Sequence, residues 1–189
     1  MRKRIVCYGD SNTYGYDAAD YFGGRLPAEQ RWVDLLGQAL GADVFNCGLN
    51  GRCVPRWPRA VEIDLASVAR YKPELVLVML GTNDVLCDLD AEQITESMRA
   101  FLRALLEKLP NCRVLLTAPP LVAGYGDFAA EESAALPRLY EELAAELGVA
   151  FADSSVWQIA MGADGVHFSP RGHLVYAVKM AQTIRALGL

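Results

Sequence analysis

Short apolar segments alternate with longer amphipathic segments along the chain, and this alternation limits the fold more than any other feature. In residues 75–80 every side chain is hydrophobic, as expected for a strand buried on both faces of a sheet. In residues 29–40 the apolar residues recur at helical spacing. Strand and helix alternate about five times, which predicts an α/β fold with a five-stranded parallel sheet between two layers of helices.

Apolar runs, caps and helix-breaking residues set the expected boundaries of these segments. The predicted strands are residues 4–8, 43–47, 75–80, 113–117 and 149–152. The predicted helices are residues 29–40, 60–71, 90–109, a helix that Ser133 caps and that ends near residue 147, and a last helix from Ser169-Pro170 to residue 187. Pro137 then lies in a first helical turn, where its missing N–H costs little. No repeat or linker divides the chain, so residues 1–189 are predicted to form one domain.

Charge and hydropathy exclude several kinds of partner. The chain has 18 Lys and Arg residues against 23 Asp and Glu residues, a net charge of −5, whereas nucleic acid or an anionic membrane would favour a basic face. No apolar run approaches the ~20 residues that span a bilayer. The basic residues 2–4 are not followed by the apolar stretch of a signal peptide, so we expect a cytoplasmic protein.

The cysteine and histidine counts argue against a disulfide framework and against a bound cofactor. Five cysteines is an odd number, and their wide spacing favours reduced thiols. Neither G-x-G-x-x-G nor G-x-x-x-x-G-K-[ST] occurs, which disfavours a nucleotide, and two histidines provide no H-E-x-x-H metal site. We therefore expect no cofactor and no metal.

Polar residues cluster in four segments of the sequence. Three of these segments come at the ends of predicted strands, and the fourth lies further along the chain after the fifth predicted strand. The clusters are residues 9–12, 46–52, 81–84 and 164–167. In an open parallel sheet the carboxyl ends of the strands lie together, and ligands bind there. We therefore expect the four clusters to form one site.

Ser11 and His167 are the candidate nucleophile and base within these clusters. A serine nucleophile needs a base, and His167 lies three residues after Asp164. That spacing lets the carboxylate bind one ring nitrogen while the other faces outward, as in an acid–base–nucleophile triad. The alternatives are that Ser11 caps a helix and that His167 binds only local backbone. The second histidine, His173, falls in the last predicted helix and is expected to be structural.

Three groups could bind a developing oxyanion, which requires N–H donors about 3 Å away. They are the backbone N–H groups of Ser11 and Gly51 and the side-chain amide of Asn83. Asn83 could instead form an Asx turn, and Gly51 could serve turn geometry alone, as we expect for Gly48. Asp10 could fix the oxyanion loop or cap a helix, and both interpretations stay open.

Four short motifs, in order along the chain, resemble the SGNH hydrolases, also called GDSL esterases or lipases. The motifs are G-D-S-N-T at residues 9–13, N-C-G-L-N-G-R at 46–52, G-T-N-D at 81–84 and D-G-V-H at 164–167. The resemblance implies a flavodoxin-like three-layer α/β/α sandwich. It also implies that Ser11 is the nucleophile, His167 the base and Asp164 its partner. Gly51 and Asn83 would join the Ser11 N–H as oxyanion donors.

The details of the motifs point to one branch of that family. G-D-S-N-T, N-x-G-L-x-G-R and L-G-T-N-D together look like the bacterial arylesterase and acyltransferase branch, which implies small acyl groups and often oligomers. Asn12 stands where the name-giving motif has leucine. We expect this departure to matter little, because that side chain takes no part in the chemistry.

The resulting functional prediction is a serine esterase that hydrolyses short-chain, acetyl-type esters of small molecules or carbohydrates through an acyl-enzyme. An acyltransferase that passes the acyl group to alcohols is the alternative with the same site. A non-catalytic ligand-binding domain is the alternative of another class. It predicts a missing base or oxyanion donor, and none is missing from the motifs.

Two surface segments complete the expectations from sequence. Residues 118–128 are apolar and contain glycine, which favours a subunit contact over a lid and predicts a homo-oligomer. Arg52, Arg56 and Arg59 surround Trp57 in a proline-containing segment. We interpret this segment as a solvated basic loop, with a substrate mouth or an oligomer contact as alternatives.

Overall fold

A parallel five-stranded sheet forms the centre of the protein, as seen in a computed structural model that describes residues 2–20, 22–122 and 124–189. The strands are β1 (Arg4–Gly9), β2 (Asp43–Gly48), β3 (Leu75–Met79), β4 (Arg113–Ala118) and β5 (Ala150–Asp153). Their spatial order is β2-β1-β3-β4-β5, and every neighbouring pair is parallel. This order is that of flavodoxin-like folds and confirms the predicted fold class.

Helices cover both faces of the sheet. They are α1 (Ser11–Tyr14), α2 (Trp32–Leu40), α3 (Pro58–Ala69), α4 (Thr82–Leu86), α5 (Ala91–Lys108), α6 (Asp127–Leu147) and α7 (Pro170–Ala186). Side chains alternate between the faces of a strand, so β3 serves two cores. Val76 and Val78 pack with α3, α5 and α6, whereas Leu75, Leu77 and Met79 pack with α2 and α7.

The helix α6 differs most from its predicted boundaries. It begins at Asp127, after Gly126 with a φ of 92°, and not at a cap on Ser133. Pro137 therefore lies inside the helix and not in its first turn. Ser133 is buried, and its Oγ accepts a hydrogen bond of 2.9 Å from the backbone N–H of Val122. The serine thus anchors the segment before the helix, a role that a capping pattern does not reveal.

The two helices α1 and α4 were not predicted from the sequence. They have four and five residues, too few to show a helical period. The predicted helix 29–40 is also divided, because Arg31 has an extended backbone between a 3₁₀ helix, Ala28–Gln30, and α2. These short elements matter for function because α1 and α4 follow β1 and β3 directly.

The described ranges contain neither a membrane-spanning helix nor a cluster of metal-binding side chains. Within them, no helix combines the length and the apolar character needed to cross a membrane. Nor do residues 2–20, 22–122 and 124–189 contain a group of three or more His, Cys, Asp or Glu side chains suited to a metal ion. All five cysteines are free thiols.

Candidate active site

The candidate residues lie on four segments that leave the carboxyl end of the sheet. Ser11 follows β1, Gly51 follows β2, and Asn83 lies in α4 directly after β3. His167 comes from the segment between β5 and α7. The structure therefore brings together residues that are far apart in the sequence, as the polar clusters predicted.

Ser11 is the first residue of α1, and the residue that caps this helix is Asp10. The Asp10 Oδ1 accepts a hydrogen bond of 2.9 Å from the Asn12 N–H, so the capping interpretation of Asp10 applies. Ser11 itself is almost fully buried and turns its hydroxyl toward His167. The interpretation of Ser11 as a cap is therefore wrong.

Asp164 shapes the segment that carries His167. Its Oδ1 accepts hydrogen bonds of 3.0 Å from the backbone N–H groups of Val166 and His167. Its Oδ2 lies 2.6 Å from His167 Nδ1, and His167 Nε2 lies 2.9 Å from Ser11 Oγ. The imidazole thus bridges the carboxylate and the hydroxyl, so the interpretation that it binds only local backbone is wrong.

The charge of Asp164 determines which ring nitrogen of His167 carries the proton. Burial tends to raise the pKa of Asp164, but the hydrogen bonds from the ring and backbone of His167 and from Val166 outweigh it and lower the pKa. An ionised carboxylate only accepts hydrogen bonds. Nδ1 therefore donates to Asp164, and Nε2 has its lone pair directed at the Ser11 hydroxyl.

Three N–H groups near the serine have no acceptor within the described part of the chain. They are the backbone N–H groups of Ser11 and Gly51 and the second amide hydrogen of Asn83. The first hydrogen of the Asn83 amide donates to Arg52 O at 3.0 Å, which fixes the orientation of the side chain. Gly51 has a φ of 70°, a conformation that favours glycine. These are the three groups that the sequence marked as oxyanion donors.

Arg52 holds the loop that follows β2 and contains Gly51, called the Gly51 loop below, against the sheet. It donates hydrogen bonds to Gly9 O at 2.9 Å and to Cys47 O at 2.5 Å, which lie on β1 and β2. It also pairs with Asp64 at 3.3 Å and stacks over the ring of Tyr8. The interpretation of Arg52 as part of a solvated loop is therefore wrong, because most of its hydrogen-bonding capacity is used inside the protein.

The same loop is anchored to α4 through Asp84. This carboxylate is fully buried and accepts hydrogen bonds from the Val54 N–H at 3.0 Å and from Arg56 at 2.6 Å. Burial raises the pKa of Asp84, and the bonds from Arg56 and Val54 partly oppose this shift. Arg56 is thus a structural partner, whereas Trp57 and Arg59 are exposed as predicted. The sequence signal that could have found Asp84 is its place beside Asn83 in G-T-N-D.

Two tyrosines that were not predicted as site residues contact the segment that carries Asp164 and His167, called the histidine segment below. The ring of Tyr16 lies 4.5 Å from that of His167, measured between centroids. The Tyr125 hydroxyl donates a hydrogen bond of 3.2 Å to Asp164 O, so the 118–128 segment reaches the site. At Gly48, a Cβ would lie 2.1 Å from Tyr14 N, and this close approach confirms its predicted structural role.

A sheet of this topology, with a serine, a histidine and an aspartate at its carboxyl end, defines a class of ester hydrolases. The chain belongs to the GDSL-like lipase/acylhydrolase family, whose model matches residues 7–175. The protein is therefore a carboxylic ester hydrolase of the GDSL type.

Individual relatives agree with this assignment. The chain is 28% identical to "GDSL lipase Rv0518" of Mycobacterium tuberculosis, over 95% of this chain and 80% of the relative. The aryl esterase of M. smegmatis superposes with a TM-score of 0.86 at 27% identity, covering 98% of this chain and 99% of that one. Est24, a carbohydrate acetylesterase from Sinorhizobium meliloti, superposes with a TM-score of 0.85 at 25% identity, covering 98% and 100%.

Proposed function

We propose that the protein hydrolyses short-chain acyl esters of small molecules or carbohydrates through an acyl-enzyme on Ser11. The observation that carries the proposal is the continuous line of hydrogen bonds from Ser11 through His167 to Asp164, with distances of 2.9 and 2.6 Å. A serine hydroxyl is a weak nucleophile unless an adjacent base removes its proton. His167 has the geometry of that base.

In the first half of the reaction, Ser11 Oγ attacks the ester carbonyl carbon while His167 Nε2 takes the hydroxyl proton. The carbonyl π electrons move to its oxygen and form an oxyanion. When this tetrahedral intermediate collapses, the bond to the leaving alcohol breaks and His167 donates its proton to the alcohol oxygen. Asp164 holds the ring and stabilises the imidazolium that forms between the two transfers.

In the second half, water takes the place of the alcohol. His167 removes a proton from water as its oxygen attacks the acyl carbon, and the collapse returns that proton to Ser11 Oγ. The carboxylic acid leaves. In both halves the free N–H groups of Ser11, Gly51 and Asn83 donate to the oxyanion, where each donor contributes a factor of about 10²–10³.

The preference for short acyl groups rests on the relatives. Proteins of nearly the same length and topology act on aryl esters and on acetylated carbohydrates, according to their descriptions. The same site could also transfer the acyl group to an alcohol, because only the second nucleophile changes.

The test is hydrolysis of p-nitrophenyl esters, from acetate to octanoate, by the wild type and by Ser11→Ala. We expect activity that decreases with chain length and that Ser11→Ala abolishes. Ser97→Ala is the matched control, because this partly exposed serine of α5 bonds, among the described residues, only to Gln93 O. Equal turnover by Ser11→Ala and wild type would contradict the proposal. A primary alcohol added to the same assay measures the share of acyl group that goes to ester in place of acid.

We also propose that the chain forms a homo-oligomer through the 118–128 segment. Leu121, Tyr125 and Phe128 are 46%, 49% and 43% exposed there, which is unusual for neighbouring large apolar side chains. Light scattering during size-exclusion chromatography measures the mass in solution. A monomeric mass of the wild type at assay concentrations would contradict this part of the proposal.

A further inference from the structure

The side chain of Asn12 bridges the two residues that flank His167. Its Nδ2 donates a hydrogen bond of 3.0 Å to Val166 O, and its Oδ1 accepts one of 2.8 Å from the Phe168 N–H. The side chain is buried, with Asn12 only 3% exposed. The amide therefore uses one donor and one acceptor to hold the backbone on both sides of the histidine.

Asn12 is itself fixed on the nucleophile's side. Its backbone N–H donates to Asp10 Oδ1 at 2.9 Å, and its carbonyl accepts a bond of 3.0 Å from Trp32 Nε1. Asn12 directly follows Ser11 in the four-residue helix α1. A rigid residue next to the nucleophile thus grips the segment that carries the base.

We propose that Asn12 is a positioning residue that sets the distance between Ser11 Oγ and His167 Nε2. This inference rests on the proposed function of Ser11 and His167. Nucleophile and base come from segments 156 residues apart, so their alignment depends on contacts between those segments. The sequence interpretation, in which the Asn12 side chain matters little, considered only its chemistry and missed this contact.

Other contacts of the histidine segment fix its own shape. Gly162 N–H donates to His167 O, and Met161 pairs with Phe168 in an isolated antiparallel bridge. These bonds lie within the segment and do not fix its position relative to Ser11. The side chain of Asn12 fixes that position through its two hydrogen bonds. Leucine has neither a donor nor an acceptor in its side chain and cannot make these bonds.

The first test replaces Asn12 with leucine, which is similar in size and removes both bonds. An error of about 1 Å in the position of a catalytic group can cost about 100-fold. We therefore expect Asn12→Leu to lower kcat for p-nitrophenyl acetate about 100-fold, with KM changed less than about threefold. Leu105→Ala is the control for general destabilisation, because it opens a cavity in the core under α5. It should lower Tm and retain kcat at 20 °C.

A second variant, Asn12→Asp, separates positioning from simple loss of packing. Its ionised carboxyl accepts from the Phe168 N–H but cannot donate to Val166 O, whereas the protonated carboxyl can do both. Burial favours the protonated form. The ratio of Asn12→Asp to wild-type kcat should therefore rise as the pH is lowered. Because Asp10, Asp164 and His167 lie close to position 12, wild type is assayed at every pH and only the ratio of the two proteins is interpreted.

A third readout needs no ester substrate and so remains valid if the proposed function fails. We expect the proton between His167 Nδ1 and Asp164 Oδ2, which lie 2.6 Å apart, to give a downfield resonance in the NMR spectrum of the full chain. We expect Asn12→Leu to shift or broaden this resonance, whereas Leu105→Ala leaves it unchanged. An unchanged resonance in folded Asn12→Leu overturns the inference, as does wild-type kcat in that variant or a pH-independent Asn12→Asp ratio. An inactive wild type with a shifted resonance in Asn12→Leu contradicts only the esterase proposal.

Discussion

The two histidines of the protein lie close in the chain but in opposite environments. His167 is partly exposed at the carboxyl end of the sheet, and both of its ring nitrogens contact side chains. His173 is fully buried in α7. Its Nδ1 accepts a hydrogen bond of 3.3 Å from the Trp32 N–H, and its Nε2 has no partner in the part of the chain that the structure describes. The ring of Phe168, the residue after His167, packs edge-on against the ring of His173 at 5.4 Å between centroids.

The difference shows what an unpaired polar atom means in each region. At the carboxyl end of the sheet, the free N–H groups of Ser11, Gly51 and Asn83 can be satisfied by water or substrate. By contrast, His173 Nε2 and Asp10 Oδ2 are buried, and no described residue gives them a hydrogen-bond partner, so they cost stability. An unpaired polar group is therefore available to a ligand where it faces the site and destabilising where it is buried without a partner.

The largest expected effect compares the two histidines directly. His167→Gln removes the proposed base and should lower kcat by about 10⁴-fold or more, because the members of a triad act as a unit. His173→Asn keeps an acceptor near the position of Nδ1 and should retain kcat within about threefold. Both variants are assayed with p-nitrophenyl acetate at 20 °C, after circular dichroism has verified folding. Similar losses in the two variants would show that the environments are not functionally distinct.

A smaller effect is expected at the oxyanion donors. Asn83→Ala removes a side-chain donor and should lower kcat by about 10²–10³-fold. Because Asn83 also binds Arg52 O, the Gly51 loop could shift as well. Gly51→Val is the companion variant, since a β-branched residue is strained at a φ of 70° while its Cβ has open space. If the two losses multiply in the double variant, the donors act independently; a loss no larger than that of either single variant indicates one coupled unit.

The sequence predicted that Ser11, Asp164 and His167 come together, whereas it misplaced boundaries of the elements that carry them; the roles of these residues stay predictions. The alternation of segments was sufficient for the sheet, because β3 is an uninterrupted apolar run and β4 has three consecutive apolar residues at 114–116, with clear breakers after both strands. Ser11, Asp164 and His167 are recognisable because few residue types can perform these steps and the chain has only two histidines. The start of α6 was predicted wrongly, because the local preference of Pro137 for a first turn was overridden by the packing of the helix against the sheet.

The supporting residues were missed for a different physical reason. Asn12, Arg52 and Asp84 act through contacts with residues distant in the sequence, at Val166, Gly9 and Val54. Local spacing contains no record of such contacts. A buried asparagine, arginine or aspartate therefore looks the same in sequence as one that faces solvent.

His173 should also make the protein less stable in acid. Burial, with a smaller contribution from the positive charge of Arg31, lowers the pKa of His173 from 6.5 to about 4. The unfolded chain therefore binds a proton near pH 6.5, whereas the folded chain does not until about pH 4. The stabilising contribution is present above pH 6.5 and is lost as the pH falls toward 4, by about 3 kcal/mol in total. Urea unfolding of wild type and His173→Asn between pH 6.5 and pH 4 measures this contribution. A difference in unfolding free energy between the two proteins that stays constant over this range would contradict the prediction.

The smallest expected effect concerns the unpaired oxygen of Asp10. Burial, opposed in part by the Asn12 N–H and by His167, raises the pKa of Asp10 from 3.8 to about 6. The buried charge therefore destabilises the fold above pH 6, by about 3 kcal/mol, and does not below pH 3.8, where the carboxyl is protonated in both states. Asp10→Asn removes that charge and keeps an acceptor for the helix cap, but its new N–H is buried without an acceptor at a cost of about 1–3 kcal/mol.

These two contributions together predict that the difference in unfolding free energy between Asp10→Asn and wild type changes sign with pH. At pH 8 the lost charge outweighs the unpaired N–H, so the variant should be more stable than wild type by about 1 kcal/mol. At pH 4 the wild-type carboxyl is largely protonated and only the cost of the amide remains, so the variant should be less stable. Urea unfolding at the two pH values measures both differences. A variant that is less stable at both would mean that Asp10 Oδ2 has a partner in solution, such as a bound water, and that buried and ligand-accessible polar groups differ less than their hydrogen bonds indicate.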